Sequence, residues 1–326
     1  MRSFEHIDAR SVEEAVSALQ RYPGRARLIA GGTDLLGGLK DAIWPQEPEM
    51  IVNLKTISGM RYLKEDADGL KIGALTTLSE IAESSLIRDK YTALQQAAQR
   101  TASPLLRNLG TVAGNICQEN RCWYYRYPKK MGGRIDCVRK GGQKCLAVSG
   151  DHRYHSIFGA VNKCIAVNPS DMAPALVVLE AKIKTSKRLI AIEEFFSAKN
   201  GMKSTILEDD EIIIEIQLPQ IGAGMKSTFK KIALRKTIDF AVVNCAVALT
   251  TASQKISSAK ICLNAVYSNP YRSLGGQDVL LGKALDDQNA EAAGAVAVLK
   301  AKPLKQNKYK VQMAKTLVRD TVMSCS

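Results

Sequence analysis

Along residues 1–222 the spacing of apolar positions switches repeatedly between a helical and an extended period. SVEEAVSALQRY (11–22) combines a Ser N-cap, early Glu residues and apolar positions three to four apart, which predicts a helix. ARLIAGG (26–32) is a short apolar run stopped by a glycine pair, the pattern of a buried strand entering a tight turn. MIVNL (50–54) and LKIGALT (70–76) predict further strands, TLSEIAESSLIRD (77–89) a capped helix, and TALQQAAQRTAS (92–103) another, ended by Pro104. NLGTVAGNI (108–116) is a second glycine-punctuated turn. An irregular stretch follows. Regular pattern resumes with KCIAVNPSDMAPALVVLEAKIK (163–184), a strand, a turn and an Ala-rich helix running into a strand, and EIIIEIQLP (211–219) predicts a strand closed by Pro219.

From about residue 223 the pattern changes. TFKKIAL, AVVNCAVALTT and AKICLNAVYS read as strands, and stretches containing LLGKALDD and NAEAAGAVAVLKAK as helices. A separate antiparallel sheet with helices on one face is therefore expected over 223–326. The fold class is α+β, with 1–222 dividing again near residue 57.

The 326 residues are 46% hydrophobic and 24% charged, the balance of a folded globular chain. No apolar run approaches the roughly 20 residues needed to cross a bilayer. MRSFEHIDARSVEEAV carries charge throughout and no apolar leader core, so a cytoplasmic location is expected. In that reducing compartment, clustered cysteines point to metal or catalysis before disulfides. The formal charge of +14 raises a nucleic-acid reading, but residues 121–164 hold ten Lys and Arg against two Asp, and so +8 of the excess. Positive charge that tracks cysteines suits an anionic metal centre or an acidic partner, and no nucleic-acid reader motif occurs.

Candidate chemistry begins with AGGTDL (30–35), a glycine turn whose free N–H groups suit a pyrophosphate, with Thr33 a further donor. TVAGN (111–115) repeats it with Thr111, Gly114 and Asn115. Either turn alone is equally a plain structural turn, and no G-x-G-x-x-G occurs. NPSD (168–171) places Asp171 at a helix start, as an acceptor for sugar hydroxyls or as an N-cap.

Taken in order, AGGTDL, TVAGN and SDMAPALVVLEA, then EIIIEIQLP, FKKIALRKTIDFAVVNCAVAL and YRSLGGQDVLLGKAL, the chain resembles the FAD-binding subunits of the molybdenum hydroxylase family over nearly its whole length. The resemblance implies a two-subdomain FAD-binding domain over 1–222 and a C-terminal domain of the CO-dehydrogenase-flavoprotein type over 223–326. It implies FAD contacts from Ile29, Ala30, Gly31, Gly32, Thr33, Asp34 and Leu35, and from Thr111, Gly114 and Asn115. Asp171 would meet the flavin's sugar portion, Ile213 would lie beside the isoalloxazine and Lys231 near it. Arg235 and Asp239 keep the family's R-x-x-x-D spacing and are read as a structural ion pair. Ala113 stands where many relatives have Gly. The implied partners are a molybdopterin-containing large subunit and a small subunit with two [2Fe–2S] clusters, in a heterotrimer or a dimer of heterotrimers. The substrate is handled elsewhere, so no catalytic residue is expected on this chain.

Most members of that family pass almost directly from the second turn to the acid, whereas here 118–163 intervene. The segment is similar, at RCWYY and CVRKGGQKC, to an insertion in the flavin subunit of 4-hydroxybenzoyl-CoA reductase that carries a [4Fe–4S] cluster. The likeness implies Cys122, Cys137 and Cys145 as ligands, with Cys164 or His155 as the fourth. Zinc also suits four sulfurs, although the spacings 122, 137, 145, 164 lack a close cysteine pair. Cys117 is expected as a small buried residue near the flavin, and Cys245, Cys262 and Cys325 as core or tail residues. For a cluster at the surface the resemblance implies a ferredoxin-type carrier, which the basic charge of the segment fits. NAD(P) is the alternative carrier, and a zinc-stabilised scaffold without redox function is the alternative of another class.

Overall fold

The computed structural model describes residues 2–133, 135–196, 203–236 and 238–325. Three parallel strands open the chain, in spatial order Glu5–Asp8, Met50–Asn53, Ala26–Ile29, and the helix Val12–Arg21 packs on them. Ser11 caps that helix by accepting the N–H of Glu14, as the sequence predicts. A five-stranded antiparallel sheet follows, in order Leu63–Asp66, Gly69–Gly73, Ile213–Pro219, Lys182–Thr185, Leu189–Ala191. The last sheet has four antiparallel strands, ordered Tyr271–Arg272, Lys255–Asn264, Val243–Ala252, Met225–Ile232.

This last sheet is the separate antiparallel sheet expected, but helices cover it on both faces and not on one. Along Val243–Ala252, Cys245, Val247 and Leu249 join a core with Leu317 and Val318 of the helix Tyr309–Met323, while Ala246 and Ala248 join the core that contains Leu94 and Met172. Both faces are therefore covered, one by the sheet's own helices and the other by helices Thr92–Arg100 and Met172–Val178 of the first unit. AVVNCAVALTT is apolar at odd and even positions alike, and such a strand has no face to give to water.

Other boundaries move for local reasons. The stretch 77–89 forms two helices, Leu78–Glu83 and Ser85–Lys90, because Ser84 leaves helical geometry and caps the second through Ile87 N–H. Pro104 begins the helix Pro104–Leu109 at its first position, where its missing N–H costs nothing. LLGKALDD contributes only its end residues to helices, Leu280 closing one and Asp287 opening the next, since Gly282 turns the chain at φ 74°. CIAV makes single bridges (Val161 to Cys164, Arg121 to Val167) and no strand.

The segment 118–163 folds, among its described residues, into short turns around Lys129–Met131, Val138–Lys140 and Leu146–Ser149. It is fastened to the C-terminal unit: Ile157 is fully buried in that core, and Lys310 donates to the carbonyls of Tyr154, His155 and Ala265. Burial pulls the Lys310 pKa down to about 7. An unfolded lysine stays protonated to about pH 10.4, so between these values the unfolded chain holds the extra proton and stability rises with pH. The stability difference between wild type and Lys310→Met should thus grow by up to about 1.4 kcal/mol per pH unit above pH 7, read from urea denaturation at pH 7, 8 and 9. A flat difference would mean that the three carbonyls keep the ammonium charged.

Candidate functional site

A cleft of about 590 Å³ is lined by residues 29–35, by Thr111, Gly114 and Asn115, and by Asp171 and Lys231. The strand Ala26–Ile29 delivers the first turn to it, and Gly32 reverses the chain there at φ 70°, in the left-handed region. Gly31 packs against the second turn so closely that a Cβ would lie 2.0 Å from the Leu109 carbonyl oxygen. Asp34 stands at the N-cap of the helix Leu35–Asp41 but does not cap it. Its carboxylate instead accepts from Arg121 at 2.9 Å, Arg126 at 2.8 Å and the N–H of Glu119 at 3.0 Å.

Thr111 caps the short helix Val112–Ile116, its hydroxyl oxygen accepting the Gly114 N–H at 3.2 Å. That leaves the hydroxyl proton to donate. Backbone bonds from Leu78 N–H to Gly110 and from Val112 N–H to Thr76 hold this turn rigid. The Asn115 side-chain Oδ1 accepts the Ser170 hydroxyl at 2.5 Å, which ties the second turn to the residue before Asp171.

Asp171 meets both units. Lys231 donates to it at 2.5 Å and Asn244 at 2.6 Å, and these two residues lie directly opposite each other on neighbouring strands of the C-terminal sheet. Lys231 also donates to the Arg100 carbonyl. The side chains of the ion pair are each only 4% exposed. Burial pushes the Asp171 carboxyl up, against the pull of Lys231 and Asn244. The reading of Asp171 as an N-cap does not survive this geometry: Ser170 does the capping, accepting the Ala173 N–H.

Ile213 lies elsewhere, buried in the core opposite Thr185 and outside the cleft lining. Cys117 was expected to be buried, yet it is exposed along the cleft wall, because it follows the last turn of a short helix that ends at the cleft. Arg235 and Asp239 form the expected ion pair, at 2.5 Å. Cys245, Cys262 and Cys325 are buried. Sequence reading missed Arg121, Arg126 and Asn244. The last had a signal, a lone amide inside the apolar run AVVNCAV.

The cysteines of the insertion share one neighbourhood without forming a ready metal site. Cys122 packs with Cys137, Tyr125 and Ile43 in a small apolar cluster. Burial pushes the Cys122 thiol up to about 12, and the charges of Cys164 and Cys137 act on it as well. Burial likewise raises Cys164, which senses Arg139, Cys145 and Cys137. Among the described residues no group of three or more His, Cys, Asp or Glu side chains is arranged to hold a metal ion. His155 Nε2 is 3.2 Å from Cys122 Sγ, its Nδ1 is buried without a partner, and burial pulls its pKa down to about 4, so the ring is neutral.

Residues 2–221 match the family described as the FAD binding domain in molybdopterin dehydrogenase, and 227–325 match the CO dehydrogenase flavoprotein C-terminal domain. The aldehyde oxidoreductase FAD-binding subunit of Escherichia coli (strain K12) is 31% identical over 97% of this chain and 96% of its own. The carbon monoxide dehydrogenase medium chain of Hydrogenophaga pseudoflava is 28% identical over 97% of this chain and 94% of its own. In a solved structure of carbon monoxide dehydrogenase from Hydrogenophaga pseudoflava, a chain aligns with a TM-score of 0.77, 24% identity and coverage of 99% and 98%. No helix among the described residues is long and apolar enough to cross a membrane.

Proposed function

Since the chain belongs to the molybdopterin-dehydrogenase FAD-binding family, we propose that it is the flavin-bearing electron-transfer subunit of a multi-subunit molybdenum oxidoreductase. The observation that carries this reading is the convergence of both glycine turns and the Asp171–Lys231 pair on one cleft. Bound there, FAD supplies exchange between two-electron and one-electron partners. The chain's residues do the holding: N–H groups around Gly31 to Thr33 and the Thr111 hydroxyl face the diphosphate, while Asp171 and Lys231 form a buried polar floor at the flavin end. Substrate chemistry belongs to a molybdopterin-containing large subunit, and electrons pass through a small subunit with two [2Fe–2S] clusters.

The finer part of the proposal is a [4Fe–4S] cluster on Cys122, Cys137, Cys145 and Cys164, of the 4-hydroxybenzoyl-CoA reductase type, serving a ferredoxin-type carrier. Their shared neighbourhood and the buried Arg139 beside Cys164 support it, since an anionic cluster needs nearby cations. Cys164 senses two of the other sulfurs, whereas His155 is placed to hydrogen-bond Cys122 alone, which favours Cys164 as the fourth ligand. Closing the sulfurs onto a cluster would require the short turns of 118–163 to tighten around it.

Anaerobic purification of the assembled complex tests both levels. Expected are bound FAD, iron with acid-labile sulfide, and loss of this chain's iron but retention of FAD when Cys122, Cys137 and Cys145 are changed to Ser. A flavin-free chain would end the proposal, and zinc in place of iron would end its cluster. Faster reduction by NADH than by reduced ferredoxin would reassign the carrier.

A further inference from the structure

We propose that Arg121 and Arg126, held on Asp34 beside the first glycine turn, bind the diphosphate of FAD, so that the cysteine-bearing insertion is itself part of the flavin site. This rests on the flavin reading above and adds to it two residues from outside both glycine turns. Both arginines line the same cleft as Gly31 to Thr33. Both donate to a single oxygen, Asp34 Oδ1, at 2.9 and 2.8 Å. Two cations on one carboxylate leave one positive charge over. Three other acids nearby do not take it up: Glu119 pairs with Arg139, Asp171 with Lys231 and Asp239 with Arg235.

The guanidiniums also have unused donors, because Arg121 Nε and Arg126 Nη1 are buried with no hydrogen-bond partner. Burial, and then the charge of Arg126, pull the Arg121 pKa down to about 10, the response of a cation lacking sufficient counter-charge. The Phe240 ring, also on the cleft lining, packs against Arg121 with its centroid 4.1 Å from the guanidinium. A planar fork held on Asp34, the residue that follows the N–H groups of Gly31 to Thr33, matches phosphate oxygens in geometry and charge. The chemistry selects an anion with several oxygens, and the diphosphate is the anionic part of FAD.

Fluorescence titration of the flavin-stripped full-length chain tests this with FAD and with ADP, at low and high salt. Arg121→Leu and Arg126→Leu should each weaken FAD binding by about tenfold or more, weaken ADP by a similar factor and flatten the salt dependence. Arg126→Lys, which keeps charge but loses the fork, should fall between. Unchanged FAD affinity in both leucine variants overturns the proposal, and so does loss of FAD affinity with ADP affinity intact, which would put the arginines at the flavin ring. Should a leucine variant lose its thermal transition, Arg126→Lys decides, an unchanged affinity there counting against the fork. Wild-type chain that binds neither ligand overturns the flavin reading as well.

Discussion

Replacing Lys231 by methionine is expected to cost the fold about 3–5 kcal/mol and to empty the flavin cleft. The loss comes from what remains. Asp171 would keep only Asn244 as a side-chain donor, in a place where both members of the pair are 4% exposed. A carboxylate left so buried must either stay charged without a counter-ion or take up a proton. Its pKa, already pushed up by burial, would rise further. The unfolded carboxyl ionises near pH 3.9, so above that pH the unfolded state releases the proton that the folded variant retains. The deficit of the variant therefore widens as pH rises from about 4 toward the new folded pKa. Urea denaturation at pH 5 and pH 8 measures it. The double variant Asp171→Leu with Lys231→Met removes both charges and should recover most of the stability while still failing to hold FAD. A single variant within about 1 kcal/mol of wild type at pH 8 would refute the buried-pair account.

Gly31→Ala should be nearly as damaging, through geometry in place of charge. A Cβ at this position would sit 2.0 Å from the Leu109 carbonyl oxygen, and that carbonyl belongs to backbone pinned by the bonds at Gly110 and Val112. The two turns must separate to admit one methyl group. Overpacking of this kind costs about 1–3 kcal/mol, which, if it falls on the bound state, weakens FAD binding by about 5- to 150-fold. Gly222→Ala, where nothing lies within 4 Å of the new atom, serves as the matched control. Equal flavin content in the two variants would show that the turns need not touch.

Much of this site could be read from the chain alone, and for a common reason. The glycine turns, the Ser11 cap and the longer strands of both large sheets are set by neighbours in sequence, so composition and period expose them. The short edge strands Leu63–Asp66, Leu189–Ala191 and Tyr271–Arg272 went unread. What escaped was decided by distant residues. Asp34 looked like one more member of a glycine turn, because its two arginines come from 87 and 92 positions away. Asp171 looked like a cap until the C-terminal sheet brought Lys231 and Asn244 to it. The helix Tyr309–Met323 went unread because a basic, proline-containing lead-in hides its start, although Ala314, Leu317, Val318 and Val322 keep helical spacing. Ile213 was assigned by resemblance, and its burial opposite Thr185 gives it no place on the cleft.

The position of Lys231 and Asn244 on the last sheet bears on when the site can come into being. Their strands begin at Met225 and Val243, after every segment that carries a glycine turn or Asp171 has already left the ribosome. Until those strands pair, Asp171 has no counter-ion and the core around Leu94 and Met172 lacks its cover from Ala246 and Ala248. Completion of the flavin cleft thus waits on the pairing of those strands, and a nascent chain stalled before residue 225 would hold both turns yet no finished place for the cofactor.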